Sequence, residues 1–210
     1  MSPVPEQEWP PNGELSAWIA RQFPEGFQGY AVDVGASDGI SVNSTYMLES
    51  LRWTVLCIEP NPVFWPKLRK LRPFVMTCAC DSEAKDSATL HTFTPNPEAY
   101  SALRPTHPPE SKPSEWSAIE VPVKTLDQCL EEAQFPRLDV LCVDVEGNEL
   151  EVLKGVNFAK WKPKAIVVES WTDPSPALQY VEALGYERKG KSVDNWMYVK
   201  EGKDAATQGC

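Results

Sequence analysis

Aliphatic and β-branched residues gather in short runs along this chain: the run that opens Ala31–Gly39, then Thr54–Ile58, Val75–Cys80, Val140–Val143 and Ala165–Val168. Runs this short, with so few polar interruptions, predict strands buried on both faces of a sheet. Between them the apolar positions recur at helical spacing. Leu15, Trp18, Ile19 and Phe23 mark an amphipathic helix, and further helices are predicted over Val42–Leu51, Pro62–Leu71 and Pro176–Leu184. Leu150, Val152 and Leu153 form the inward face of another, and Thr125-Leu126-Asp127 opens one more, with Thr125 or Asp127 as its cap. In KLRKLR, Leu68 and Leu71 are assigned to the core, and Lys67, Arg69, Lys70 and Arg72 to a solvated face. The strand–helix alternation predicts βαβ units around a parallel sheet. Thr89–Phe93 reads as an extra strand, and Tyr186–Lys191 with Trp196–Lys200 as a closing antiparallel pair.

A chain of 210 residues suits one α/β domain, placed here at 14–200 between a Pro-rich flexible lead (1–13) and a frayed tail (201–210). Residues 94–122 are the least regular stretch and carry seven prolines. A loop of that length inside a compact domain is either functional or disordered; it is read as a lid over the acceptor, with a flexible surface insertion as the alternative. Tyr100, Ser101, Arg104, His107 and Trp116 are its candidate contacts.

The chemistry concentrates where the runs end. AVDVGASDG carries a strand into a Gly-x-x-x-Gly turn, Gly35 to Gly39. The dinucleotide fingerprint has a further glycine that lets a helix start approach a pyrophosphate. Its absence points to a nucleoside ligand without a diphosphate, and S-adenosylmethionine is one. Glu59 follows Gly39 by 20 residues and ends the next strand, where a carboxylate accepts hydrogen bonds from both ribose hydroxyls. In DVLCVDVEGNELEVLKG a strand reaches Asp144, Glu146 and Gly147 before a helix begins, and Ala165–Val168 ends at Glu169. Carboxylates thus collect at the carboxyl ends of parallel strands, where open α/β sheets bind ligands.

The ordered blocks VDVGASDG, IEPNP, VKTLDQCL, VDVEGNELEVLKG and IVVES resemble the FkbM-type S-adenosylmethionine-dependent methyltransferases over roughly residues 29–199. The resemblance implies a Rossmann-like class I methyltransferase fold. That is a mostly parallel seven-stranded sheet with an antiparallel terminal strand and helices on both faces. It also implies methyl transfer to a hydroxyl of a sugar or secondary metabolite. The cofactor site expected on this basis takes Asp33, Gly35, Ala36, Ser37, Asp38, Gly39 and Ser41 from the first strand and turn, and Glu59, Pro60 and Asn61 from the second. Cys80 and Asp81 come from the third, and Asp144, Glu146 and Gly147 from the fourth. The family's adenine-side strand commonly ends in an Ala-Val-Ser-Asp-like sequence; this chain has Cys78-Ala79-Cys80-Asp81.

Methyl transfer is an in-line displacement that needs alignment, helped by a base that takes the acceptor's proton. Asp144, Glu169 and His107 are the candidate catalytic residues, with Glu146 beside them. Two acids on neighbouring strand tips could also bind a divalent cation, but no metal is assigned to the site. A nicotinamide-dependent oxidoreductase on the same sheet is the competing enzyme reading; the missing third glycine and the lack of a Tyr-x-x-x-Lys pair weigh against it. A non-catalytic cofactor-binding protein ranks last, because the glycine turn, the ribose acid and the DVEG block are intact.

Charge and cysteines narrow the partners. A net charge of −10 argues against binding a nucleic-acid backbone. No run approaches the length of a membrane span, and the first residues have neither a basic start nor an apolar core, so a cytoplasmic location is expected. The six cysteines lack metal-ligand spacing: Cys78 and Cys80 are separated by one residue, and Cys57 and Cys142 fall inside buried strands.

Overall fold

The computed structural model describes residues 13–41, 43–93, 101–104 and 116–200. In chain order its elements are α1 (Glu14–Arg21), β1 (Tyr30–Val34), α2 (Tyr46–Ser50), β2 (Thr54–Ile58), α3 (Trp65–Leu71), β3 (Phe74–Met76), β4 (Ala79–Cys80), β5 (Lys85–Phe93), β6 (Ser101–Ala102) and β7 (Trp116–Lys124). They continue with α4 (Leu126–Glu132), β8 (Val140–Val143), α5 (Glu149–Lys154), α6 (Phe158–Trp161), β9 (Ala165–Glu169), α7 (Pro176–Ala183), β10 (Glu187–Ser192) and β11 (Asn195–Val199).

Seven strands form the main sheet in the order β10-β11-β9-β8-β1-β2-β3. β1, β2, β3, β8 and β9 pair in parallel, and β11 runs antiparallel to both of its neighbours. This is the expected mostly parallel sheet, its last strand antiparallel. Alternate residues of the central strands face opposite layers. Val32, Val34, Leu56, Ile58, Leu141, Val143, Ile166 and Val168 pack with Leu126 and Leu130 of α4, Leu153 of α5 and Leu178 of α7. Ala31, Val55, Cys57, Val140, Cys142 and Val167 pack with Ile19 of α1, Leu48 of α2 and Leu68 of α3. Burial on both faces is why the runs read as unbroken hydrophobic strings. Chain order reverses at β1, with β2 and β3 on one side and β8 and β9 on the other, which opens a crevice beyond the β1 and β8 tips.

The Val75–Cys80 run is two strands, not one. β3 pairs with β2 at the sheet edge, and the chain then leaves so that Ala79–Cys80 pairs with Val123–Lys124 of β7 in a second sheet of order β4-β7-β5-β6. The antiparallel β5–β7 ladder dominates that sheet. One face buries Leu90, Val121 and Val123 against Ala79; on the other, Ser87 and Thr89 donate to the Glu120 carboxylate (2.8 Å each). Residues 116–122 therefore belong to a strand rather than to an irregular lid, and Trp116 packs on Phe93 across the ladder (centroids 5.4 Å apart). Most of the rest of the lid segment, with Tyr100 and His107, lies outside the described residues, as do 1–12 and 201–210.

Thr125 caps α4 in a reciprocal capping box with Gln128, while Asp127 instead accepts from the Asn157 N–H and the Trp161 indole (2.8 Å each). The KLRKLR reading fails at its end. Leu71 is 36% exposed, whereas Arg72 is 2% exposed. Its guanidinium reaches the Gly39 carbonyl (2.9 Å), Asn43 (3.1 Å) and the Thr45 hydroxyl (2.9 Å), and pairs with Glu49 (3.0 Å). Thr45 in turn donates to Asp33 (2.7 Å). One cation thus serves two largely buried acids and the glycine turn. Arg72→Leu is expected to cost about 3–5 kcal/mol of unfolding free energy, because it strands Asp33 and Glu49 without a counter-charge. Urea denaturation measures it, and a loss under about 1 kcal/mol, typical of an exposed pair, would contradict this role.

Candidate active site

Three strand tips are tied together at the crevice. The Gly35 and Ala36 N–H groups both donate to the Ile58 carbonyl (2.9 and 3.1 Å), and the Asp144 N–H donates to the Val34 carbonyl (3.0 Å). Gly35 has φ +87°, and a Cβ there would lie 1.7 Å from the Asp144 carbonyl oxygen. Only glycine allows β1 and β8 to approach so closely. Beyond it, Asp38 accepts from the N–H groups of Ile40 (2.9 Å) and Ser41 (2.7 Å) and the Ser41 hydroxyl (2.8 Å), which holds the turn in shape. Burial opposes ionisation of Asp38, but these donors and the Lys67 ammonium outweigh it and bring its pKa to about 2.

The crevice encloses a cavity of about 420 Å³, within the size range of small-ligand pockets. Gly35, Ser37, Asp38, Ser41, Glu59, Pro60, Cys80, Asp144 and Glu146 line it, all expected from sequence. Glu59 is 4% exposed. Its two carboxylate oxygens accept from the Ser37 N–H (2.9 Å) and the Asn61 N–H (2.8 Å). Burial pushes its pKa up; those N–H groups pull it down and the nearby Asp33 adds a little, leaving it at about 7.

Other expected residues do not reach the cavity. Asp33 shares the Ala31 face of β1, so its side chain points toward Arg72 and away from the crevice; burial raises its pKa despite the Arg72 charge. Ala36 is packed in the core, and the Gly39 carbonyl is held by Arg72. Asn61 contributes its N–H to Glu59, and Asp81 is engaged by Arg104 (3.0 Å) and Lys85 (3.5 Å). Gly147 lines a neighbouring cavity, and His107 lies outside the described residues.

Ser101, expected as a lid contact, also lines it, as do Phe64, Leu90, Leu103 and Asn148, which were not expected. Asn148 directly precedes α5, where an Asn reads as an ordinary helix cap. It makes no side-chain cap; its amide donates to the Cys80 carbonyl (3.0 Å) and accepts from Arg104. Cys78 and Cys80, both free and both lining the cavity, pack their thiols 3.8 and 4.0 Å from that of Cys129.

The neighbouring cavity, about 550 Å³, is lined by Arg104, Glu146, Gly147, Asn148, Glu169, Trp171 and the start of α7. Glu146 and Asn148 border both cavities. At this wall the carboxylates of Asp144, Glu146 and Glu169 converge, each offering an oxygen within 4.8 Å of the others. Glu146 and Gly147 carry φ of +58° and +102°, the turn that lets β8 deliver Asp144 and Glu146 to one place. Burial, then the charge of Glu169 and a hydrogen bond shared with its carboxyl, and after them the charges of Glu146 and Glu149, hold the Asp144 carboxyl well above the usual carboxylate range.

This arrangement of glycine turn, strand-tip acid and convergent carboxylates coincides with a family match. The methyltransferase FkbM domain model matches residues 33–188. The chain belongs to the FkbM methyltransferase family. Methyltransferase sdnD of Sordaria araneosa is 30% identical over 196 residues, covering 78% of this chain and 74% of that protein. Hexuronic acid methyltransferase AglP of Haloferax volcanii is 28% identical over 134 residues, 62% of this chain and 53% of that protein. Among solved structures, an FkbM methyltransferase from Methylobacillus flagellatus KT superposes with a TM-score of 0.53 at 16% identity, over 82% of this chain. This chain spans 44% of that longer one. The fold is the Rossmann-like class I methyltransferase fold that the sequence resemblance implied.

Proposed function

We propose that this FkbM methyltransferase uses S-adenosylmethionine and methylates a hydroxyl of a sugar or small secondary metabolite. The wall of three carboxylates between two adjoining cavities carries this reading, since it offers a cofactor chamber and an acceptor chamber with acids where they meet. The first chamber fits the cofactor's chemistry. An ionised carboxylate has about four acceptor positions, so Glu59, engaged by two N–H groups, retains capacity for a pair of ribose hydroxyls. Phe64, Leu90 and Leu103 supply apolar walls for a base. Bound there, the cofactor supplies an activated methyl on a sulfonium leaving group. Asp144, Glu146 and Glu169 face the acceptor, orient its hydroxyl and draw off its proton as the C–O bond forms and the C–S bond breaks. The hexuronic acid methyltransferase among the relatives supports a sugar-like acceptor.

Calorimetry against S-adenosylmethionine and NAD, with detection of S-adenosylhomocysteine over a panel of sugar and natural-product alcohols, tests the assignment. Binding of the sulfonium nucleoside and turnover with an alcohol are expected; affinity for NAD alone would reinstate the oxidoreductase.

Glu59 gives a sharper expectation. Glu59→Ala should weaken cofactor binding by about 2 kcal/mol or more, the scale for losing hydrogen bonds to a buried charge. Because the ionised form is the better ribose acceptor and the pKa is raised to about 7, affinity should fall as pH drops below that value. The decline approaches about tenfold per pH unit. Glu59→Gln should bind weakly at every pH, with no such slope; a parent whose affinity is flat from pH 5 to 8 would remove Glu59 from the ribose site.

A further inference from the structure

We infer that Asp144, Glu146 and Glu169 form a binding site for one divalent cation of the hard, oxygen-preferring class, Mg²⁺ or Mn²⁺, placed to hold the acceptor's oxygen atoms. The inference rests on the methyltransferase reading for its role, but its geometry stands separately. Hard divalent cations bind oxygens at about 2.0–2.6 Å, so ligands on opposite sides of one ion lie about 4–5 Å apart. The three carboxylate oxygens lie within 4.8 Å of one another. Proximity of acids alone would carry little, and Glu169 supplies the second observation. It is 8% exposed, its Oε1 accepts from the Trp171 indole (2.9 Å), and no N–H or hydroxyl donor among the described residues reaches its buried Oε2, its contact with Asp144 being carboxyl to carboxyl. A buried acceptor left unsatisfied beside two further carboxylates costs free energy that a cation removes.

The nearby cationic side chain is committed elsewhere: Arg104 is engaged with Asp81 and Asn148. Neither Asp144 nor Glu169 has an ion-pair partner among the described residues. An all-oxygen ligand set from three carboxylates, with no thiol or imidazole, selects Mg²⁺ or Mn²⁺ over softer metals. The position is where such an ion would act, because Asp144 lines the cofactor chamber, Glu169 the acceptor chamber and Glu146 both. A cation there would take one or two acceptor oxygens as further ligands and lower the pKa of a coordinated hydroxyl. It would also offset the repulsion between three acids and an anionic acceptor.

Mn²⁺ is the probe. Electron paramagnetic resonance of free Mn²⁺, titrated with the full chain at pH 7.5, should show one saturable site from which Mg²⁺ displaces it. Asp144→Asn and Glu169→Gln should each weaken Mn²⁺ by about tenfold or more, since even outer-shell partners of a metal cost about 10–100-fold. Glu120→Gln, on the open face of the second sheet, should leave it unchanged. Calorimetry with S-adenosylhomocysteine on the same preparations reports that the cofactor chamber is folded. No saturable Mn²⁺ binding in the parent, or binding that survives both wall substitutions, overturns the cation site. S-adenosylhomocysteine affinity without Mn²⁺ binding would leave the proposed function standing and sink this inference; saturable, Mg²⁺-displaceable Mn²⁺ binding without affinity for either nucleoside would do the reverse.

Discussion

Gly35→Ala is expected to abolish measurable binding of S-adenosylmethionine. The added Cβ would sit 1.7 Å from the Asp144 carbonyl oxygen, a backbone atom that cannot rotate away. Relief requires the tips of β1 and β8 to separate. Those tips are joined by the Asp144 N–H to Val34 carbonyl bond, and the Gly35 and Ala36 N–H groups both hold Ile58. Separation would therefore displace Glu59 and Asp144 together. A loss of at least 100-fold in affinity, about 2.7 kcal/mol or more, is expected. Strain at φ +87° adds about 1–3 kcal/mol to the cost in stability. Gly26→Ala separates the two causes: φ is +76° there, yet a Cβ would meet nothing within 4 Å. It should lose some stability and no affinity. Calorimetry and urea denaturation of both variants measure this, and full cofactor affinity in Gly35→Ala would show that the glycine turn does not border the cofactor.

Asp144→Asn should be nearly as severe, and in kcat. The amide keeps the shape of the side chain but cannot accept a proton or match its charge at the wall where three carboxylate oxygens lie within 4.8 Å. A general base is worth about 10²–10⁴-fold in rate, and the loss should appear in turnover while S-adenosylmethionine affinity stays within a few-fold of the parent. Higher pH should restore part of the rate as the acceptor ionises unaided. Full turnover in the variant would move the proton-accepting role to Glu146 or Glu169.

The second sheet shows why part of the fold escaped the sequence. Its strands alternate apolar and polar residues as any half-exposed ladder does, and nothing in Val75–Cys80 marks where the chain leaves the main sheet. The break is set by β7, more than 40 residues further on, which captures Ala79–Cys80. Asp33 and Arg72 illustrate a related limit. Period-two alternation says that Asp33 and Ala31 share a face, not which face meets the ligand. The burial of Arg72 depends on Asn43, Thr45 and Glu49, which reach it only once α2 and α3 are docked. A charged residue reads as exposed until its partners are known.

The sequence alone determined the central strands and their tips. Thr54–Ile58 and Val140–Val143 have the boundaries that their hydrophobic runs predicted, because strands buried on both faces tolerate almost no polar residue before they end. It therefore also determined that Gly35, Glu59, Asp144 and Glu169 stand at one edge of the sheet, since parallel strands deliver their carboxyl ends to the same side. Only the tertiary structure decided what those residues do together. It turned Asp33 away, drew Asn148 from a helix cap to the cavity lining, and brought Glu146 beside Glu169 through a left-handed turn. Side-chain direction and the meeting of distant charges are properties of the packed chain, set by contacts that no local pattern encodes.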